Sequence, residues 1–498
     1  MLTDHGRFSG CRAGESVKEV AGHLPGLCAS EVQWHTLRFG QGSEIVEVDV
    51  PALDEAQIIA LTARVRANAR AYLHQLSVAQ IITIIDEAVA RLLDRTHPLR
   101  IKAEKLLPIV TGYDADMVRL GLTGYLKTFR QPQLKRFLAE DFAHPQMLDD
   151  FQPRPKGGFA RAFGPELLLH IWAGNVPGLP LWSLICGLLV KAGTIGKLPG
   201  NEPLMASWFA QLLAEIDPQL GACLAVVWWQ GGSAETEPTW LRQADVVLAY
   251  GGNNTLAAIQ QRLPVTTRFL PHGHKISVGL VAASALNTRQ GAELARRVAY
   301  DVMRYDQAGC YSPQMLFVER GGAVSSDEFA AYIAHELAAL ARKHPRRPLA
   351  IEEMNSLAAW RNGEEMRALA DGRTLYGHPT DGWAVVSVAQ AEALLPSALG
   401  RTLKVVAVDA LEEAIQALAQ QRQVLQTAGV AATPAELFRL SALLGQAGVT
   451  RITAFGDMTS PEAGWHHDGR FSLLDLVTIT EIEQGAEAAA ERFAPYAD

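Results

Sequence analysis

Residues 167–203 read LLLHIWAGNVPGLPLWSLICGLLVKAGTIGKLPGNEP. Within this stretch, Ile171 to Val190 carries no charge over 20 residues, about the length of a membrane span. Gly174, Asn175, Pro177, Gly178 and Pro180 interrupt its first half, and such residues break a helix. The reading that fits is a buried strand (LLLHIWA), a tight turn, a buried helix and a second strand ending in TIGKLP. Downstream, helix-like LMASWFAQLLAEI, TWLRQA and NTLAAIQQRL alternate with strand-like LAVVWWQGG, DVVLAYGG and HKISVGLV. Strands alternating with helices predict βαβ units and a parallel sheet covered on both faces, with ligands at the carboxyl ends of the strands.

Upstream, ALDEAQIIALTARVRANARAYLHQL and SVAQIITIIDEAVARLLDRT place apolar residues at three- and four-residue spacing, which predicts helices from Asp54 to about Gln146. Ser77 is set to cap the second, and His97-Pro98 to end it. A strand is expected at Glu44–Val50. Beyond the first block, a helix ending near Tyr305 leads into DQAGCYSPQ and a strand from Met315. Helices at Ser326–Lys343, Ile351–Ala370 and Leu411–Gln426 and strands at Trp383–Val388 and Lys404–Val408 then make a second α/β block, closed by the strand VTITEIE.

The chain has 498 residues, enough for two or three cores, since single cores stop growing at about 250–300 residues. A formal charge of -8 provides no basic footprint for nucleic acid. Five cysteines (Cys11, Cys28, Cys186, Cys223, Cys310) form no CxxC pair, so neither a zinc ribbon nor a dithiol motif is supported. The start, MLTDHGRFSGCRAGE, lacks a basic region leading into an apolar one; a soluble cytoplasmic protein is expected.

Four constellations carry chemistry. Cys310 has small residues on one side (Ala308, Gly309) that let an acyl group and a cofactor ring approach its sulfur, although a lone cysteine is more often an inert buried residue. Asn175, on the turn after LLLHIWA, is placed to offer an amide to an oxyanion, with the Cys310 N–H as the second donor. Lys197, at the end of TIGK, suits a ribose hydroxyl or phosphate, or else is simply solvated. The turns Gly231-Gly232-Ser233 and Gly251-Gly252-Asn253-Asn254 follow strands, and the second opens a helix, the geometry in which backbone N–H groups receive phosphate. His272-Gly273-His274 and His466-His467-Asp468 each lack a third ligand at metal-site spacing, so no metal is expected; His272 or His274 is a candidate proton donor.

In order and spacing, these pieces resemble the aldehyde dehydrogenase superfamily and, within it, the long-chain fatty acyl-CoA reductases of the LuxC type found in bioluminescence. The resemblance runs from about Leu76 to the C-terminus, through GNVPGLPLW, KLPGNEP, YGGNNTLAAI, GHKIS and YDQAGCYSPQ. It implies an α/β fold of a Rossmann-type cofactor domain (76–275) after an N-terminal extension (1–75). A second α/β catalytic domain (276–440) carries the nucleophile, and a C-terminal segment (441–498) returns to the cofactor domain with an assembly strand, as in a homo-oligomer. It also implies Cys310 as nucleophile, Asn175 in the oxyanion hole, Lys197 on the cofactor's adenosine ribose, and Gly251, Gly252 and Asn253 near its pyrophosphate, with Gly231 on the neighbouring turn.

Three departures from the family pattern are informative. The segment whose glutamate activates water reads Pro271-His272-Gly273-His274-Lys275, so a thioester on Cys310 lacks that base and reduction is the expected fate. Gly200 stands where a glutamate often binds the ribose 2′-hydroxyl, which favours NADPH, with NADH as the alternative and Glu202 close by. The glutamate that holds the nicotinamide ribose aligns with Ser397. The expected activity is reduction of an acyl-CoA, or another acyl thioester supplied by an acyl-transferring protein, to a fatty aldehyde. The alternatives are aldehyde oxidation and cysteine acyl transfer without nicotinamide.

Overall fold

The computed structural model describes residues 16–42 and 44–495. Cys11 and the start MLTDHGRFSGCRAGE lie outside the described residues. The deciding segment folds as strand Leu167–Ile171, a turn, helix Pro180–Leu189 and strand Gly193–Lys197. Among the described residues, no helix is long and apolar enough to cross a membrane.

These strands belong to a five-stranded, all-parallel sheet in the spatial order Arg268–His272, Val246–Tyr250, Leu167–Ile171, Gly193–Lys197, Leu224–Val227. The first strand in sequence sits centrally, so the chain winds first to one side and then to the other. The order reverses between Leu167–Ile171 and Val246–Tyr250, the switch point at which open α/β sheets bind ligands. The turns bearing Asn175 and Gly251-Gly252 leave from those two strands. Gly196 is needed for packing: a Cβ there would come within 1.7 Å of the Trp172 ring, which is pinned by its Nε1–H to Ser183 Oγ at 2.8 Å.

Residues 273–275 carry the chain from this sheet into a seven-stranded one. Its spatial order is Thr374–Tyr376, Ala384–Val388, Thr402–Val408, Pro313–Glu319, Ile276–Val281, Leu425–Ala431, Arg451–Thr453, with only the first strand antiparallel. A third sheet pairs Thr478–Ile482 with Phe159–Phe163 and that with Gln152–Pro153, all antiparallel. Strands Val17–Val20, Gln33–Gln41 and Glu44–Ala52 form a small fourth sheet. It joins the end of the five-stranded sheet through bridges His23 to Val226 and Ala52 to Trp228. Two largely parallel α/β blocks in succession are the architecture expected.

Upstream helices form where periodicity and caps place them. Asp54 and Ser77 each accept the N3 amide of helices Glu55–Ala71 and Val78–Leu93. The second helix stops earlier than expected, at Leu93, and after a short turn Pro98 opens a third, Pro98–Thr111, at the position where its missing N–H costs nothing. One expectation fails. The helix read as Leu411–Gln426 stops at Leu418, and Leu425–Ala431 is a buried strand beside Ile276–Val281. Gln, Ala and Gly have low strand propensity, but Gly429 lets Phe455 and Met458 close onto this strand, and burial between neighbours decides its state.

Candidate active site

Cys310 is presented by an unusual turn. Tyr305, Asp306 and Gln307 adopt φ of 49°, 52° and 62°, three successive left-handed residues without a glycine, each costing about 1–2 kcal/mol. Buried contacts hold them there. Asp306 Oδ1 accepts Arg401 Nε at 2.7 Å and Oδ2 accepts the Arg347 N–H at 3.1 Å. The Gln307 amide donates to the carbonyls of Pro313 (2.8 Å) and Thr402 (2.9 Å) and accepts the Thr402 N–H at 2.8 Å. Ser277 Oγ donates to the Cys310 carbonyl at 2.7 Å and accepts the Thr427 N–H at 3.1 Å.

The Asn175 turn docks directly on this loop. Asn175 Nδ2 donates to the Ala308 carbonyl at 2.6 Å, and the Tyr113 hydroxyl donates to the carbonyls of Asn175 (2.8 Å) and Tyr305 (3.3 Å). One N–H of the Asn175 amide is thus used for positioning and the other remains. Both turns open onto one cavity of about 920 Å³, whose wall also holds Lys197, Gly200, Gly251 and Gly252. Gly231 and Asn253 lie off that wall. A Cβ on Gly231 would sit 3.9 Å from Lys197 Nζ, and Asn253 Oδ1 packs against Gly273.

At the strand ends, Lys197 Nζ lies 5.2 Å above the Trp229 ring; burial lowers its pKa while Glu237 opposes the shift. Gly252 caps helix Asn253–Arg262 with no side chain on the helix amides, leaving them open to an anion. A Cβ on Gly200 would meet nothing within 4 Å. Glu202 is buried, and its carboxylate accepts the N–H groups of Gly178, Leu204 and Met205; burial raises its pKa to about 7. Ser397 Oγ accepts the Leu399 N–H and fixes that residue on the cavity wall. Of the apolar set beside Asn175, Trp182 reaches the cavity while Leu184, Ile185 and Leu188 are core.

The Cys310 thiol is half-buried. Burial raises its pKa to about 11, the Gln426 side chain beside it pulls downward, and Asp468 pushes upward. Gln426, on the strand Leu425–Ala431, also donates to Asp468 Oδ1 at 2.7 Å. The two histidine clusters, far apart in sequence, meet here: Asp468 Oδ2 lies 3.0 Å from His272 Nδ1, and the His272 and His467 rings stack at 4.6 Å. Donor atoms of His272, His467 and Asp468 fall within 4.8 Å of one another. The imidazole planes lie within 10° of parallel, however, so their in-plane lone pairs do not converge on one ion.

A cysteine turn and an asparagine turn facing each other across a parallel-sheet switch point define a protein of the aldehyde dehydrogenase fold. Solved structures agree. Aldehyde dehydrogenase 21 of Physcomitrella patens superposes with a TM-score of 0.71 at 13% identity, covering 94% of this chain and 99% of that one. A mutant aldehyde dehydrogenase C of Pseudomonas syringae, complexed with NAD+ and octanal, gives 0.72 at 13% identity, covering 99% of both. Residues 73–479 match the family described as acyl-CoA reductase (LuxC), and the chain belongs to that family. It is 25% identical over 348 residues to the long-chain acyl-protein thioester reductase of Photorhabdus luminescens, covering 69% of each chain. It is 24% identical over 250 residues to that of Vibrio harveyi, covering 49% of this chain and 51% of that one.

Proposed function

We propose that this protein is an NADPH-dependent reductase that takes a long-chain acyl group from a thioester onto Cys310 and releases it as the aldehyde. The observation that carries this reading is the Asn175–Ala308 bond, which sets the amide turn against the loop that presents the sulfur. The Cys310 sulfur attacks the thioester carbonyl. The second N–H of Asn175 and the Cys310 N–H receive the oxyanion, and the carrier thiol leaves. Lys197 and the open amides after Gly252 would hold the cofactor's ribose and pyrophosphate. When bound there, a reduced nicotinamide would supply the hydride that reduces the acyl carbon. Cys310 then departs as the carbonyl re-forms.

Reduction rather than hydrolysis is supported by Pro271, which leaves no carboxylate at that strand position. The two carboxylates on the cavity wall are engaged, Glu462 with Arg136 at 3.3 Å and Asp468 with His272 and Gln426. A preference for NADPH is supported by open space at Gly200 and by Glu202 being committed to backbone amides, so neither opposes a 2′-phosphate. Tyr125, Val176, Leu179 and Trp182 supply an apolar wall for a long acyl chain, the class of substrate named for the relatives. The donor is acyl-CoA or an acyl-protein. The place is the cytoplasm, in a homo-oligomer built through the exposed strand Thr478–Ile482.

The test is to incubate the protein with acyl-CoA of graded chain length and NADPH and to follow loss of the reduced cofactor. Turnover is expected with long chains and is abolished in Cys310→Ala. No oxidation at any length, or full activity in that variant, rejects the reading.

A further inference from the structure

We propose that His272, oriented by Asp468, is the proton-transfer group of Cys310. The reaction would then run on a Cys–His–Asp constellation drawn from the end of strand Arg268–His272, the nucleophile turn and the C-terminal loop. This rests on the reading of Cys310 as the acylated residue and assigns the group that serves it.

The chemistry requires such a group. A thiol with a pKa near 11 is ionised in only about one molecule in ten thousand at pH 7, and the thiolate is the nucleophile. The sulfur and the imidazole face one cavity, and Gln426 and Asp468 connect the sulfur's surroundings to the Nδ1 side of the ring. Gln426 touches Cys310 and donates to Asp468 Oδ1; Asp468 Oδ2 holds His272 Nδ1. With Nδ1 fixed as the donor to a carboxylate, Nε2 is the basic nitrogen. Nε2 makes no hydrogen bond among the described residues, and the ring lines the same cavity as Cys310.

The imidazole cannot turn away. It packs beside Tyr250 (4.8 Å, 17°) and His467 (4.6 Å, 10°), which lie 6.0 Å from each other, and its Nδ1 is tied to Asp468. Asp468 is itself held in a left-handed conformation, φ 56°, inside a tight turn closed by Gly469 N–H to the His466 carbonyl at 3.0 Å. Non-glycine strain of this kind persists where the surroundings over-determine it, and it clusters at functional sites.

Three titratable neighbours, His467, Tyr250 and Asp468, stay in one charge state near neutrality. Burial and the adjacent His272 keep His467 neutral, down to about 4, and burial keeps the Tyr250 hydroxyl protonated. Burial opposes ionisation of Asp468, but its bonds to His272 and Gln426 hold it well below the usual carboxylate range. Lys275 donates to the Gln423 carbonyl at 2.9 Å, His274 lines the same cavity, and Arg470 and Asp475 line a small pocket behind the ring. His272 does not replace the missing water-activating glutamate. Successive side chains on a strand point to opposite faces, so residue 271 and residue 272 serve different sides.

The proton of Cys310–SH passes to His272 Nε2 as the S–C bond forms, then to the sulfur of the departing carrier thiol, which leaves as R′SH. After hydride addition the C–S bond breaks, the aldehyde departs, and the Cys310 thiolate takes one solvent proton through His272. One proton and one reduced cofactor are consumed per aldehyde.

The test uses the full-length protein and measures acylation in a single turnover (thiol release from acyl-CoA) across pH, together with alkylation of Cys310 by iodoacetamide, read by peptide mass. In His272→Gln, acylation at pH 7 should fall by about 10²–10⁴-fold. Its flat profile should become a climb of about tenfold per pH unit as hydroxide replaces the imidazole. Asp468→Asn should act in the same direction, by at least about tenfold. Acylation in His272→Gln within about threefold of the unmodified protein, with an unchanged profile, overturns the proposal while leaving Cys310 in place. Activity surviving in Cys310→Ala instead overturns the acyl-enzyme itself. Alkylation at pH 7 should be slower in His272→Gln than in the unmodified protein, and equal rates across pH overturn the relay.

Discussion

Replacing Asp306 with alanine removes the anchor of the nucleophile turn. Arg401 is fully buried, and its remaining protein partner is the His344 carbonyl, at 2.7 Å from Nη1. Deleting one member of a buried ion pair costs about 3–5 kcal/mol, because the other charge stays behind unpaired. Three left-handed residues store about 3–6 kcal/mol of conformational strain, so the clamp and the strain are of similar size. Without the carboxylate the turn should relax and carry the Ala308 carbonyl off Asn175. For a cooperative unit of about 150–250 residues, 1 kcal/mol corresponds to about 2–4 °C. Scanning calorimetry of Asp306→Ala should therefore show a transition lowered on the order of 10 °C, with a disproportionate fall in kcat at temperatures where the protein is still folded. The double variant Asp306→Leu with Arg401→Met, which removes both charges, should recover much of the stability but not the activity. A single variant melting within about 2 °C of wild type with full kcat would refute the idea that this pair holds the nucleophile turn.

Asn175→Ala should lower kcat by about 10²–10³, the usual effect of losing one oxyanion donor, while an acyl adduct on Cys310 stays detectable by mass spectrometry. Gly200→Glu has room for its side chain and should cut the NADPH-to-NADH ratio of kcat/KM by about tenfold or more, since the new carboxylate repels a 2′-phosphate. Asp301 accepts the Gly456 N–H, and burial raises its pKa to about 7 from an ordinary value near 4. Its stabilising contribution is therefore complete below about pH 4 and lost as pH rises through 7. Thermal unfolding of Asp301→Asn should gain on wild type by an amount that grows from pH 4 to 7; a difference independent of pH would contradict this.

The parts of the site that were legible in the sequence are those whose signal is local. Asn175 and Lys197 end strands that announce themselves as apolar runs stopped by Gly and Pro, and Gly251-Gly252 opens a periodic helix. Gln426 was hidden because LQTAGVA follows a real helix and has weak strand propensity; only its place between two other strands makes it one. The left-handed turn at Tyr305–Gln307 carries no glycine or asparagine, since its conformation is imposed by partners as distant as Arg401 and Thr402. His272 and Asp468 were visible as separate clusters. Their meeting depends on the C-terminal loop crossing back over the five-stranded sheet, where Arg268 holds the carbonyls of Leu476 and Val477. Long-range closure of that kind leaves no periodic trace.

The central claim is that one acyl group on Cys310 becomes one aldehyde by reduction. The most direct measurement is to form the acyl-enzyme with a long-chain acyl-CoA in the absence of cofactor, remove excess donor, and add NADPH. An adduct on the Cys310 peptide should form and disappear on addition of cofactor, with one aldehyde formed per NADPH oxidised. Release of the fatty acid instead, or an adduct indifferent to NADPH and NADH, would contradict it.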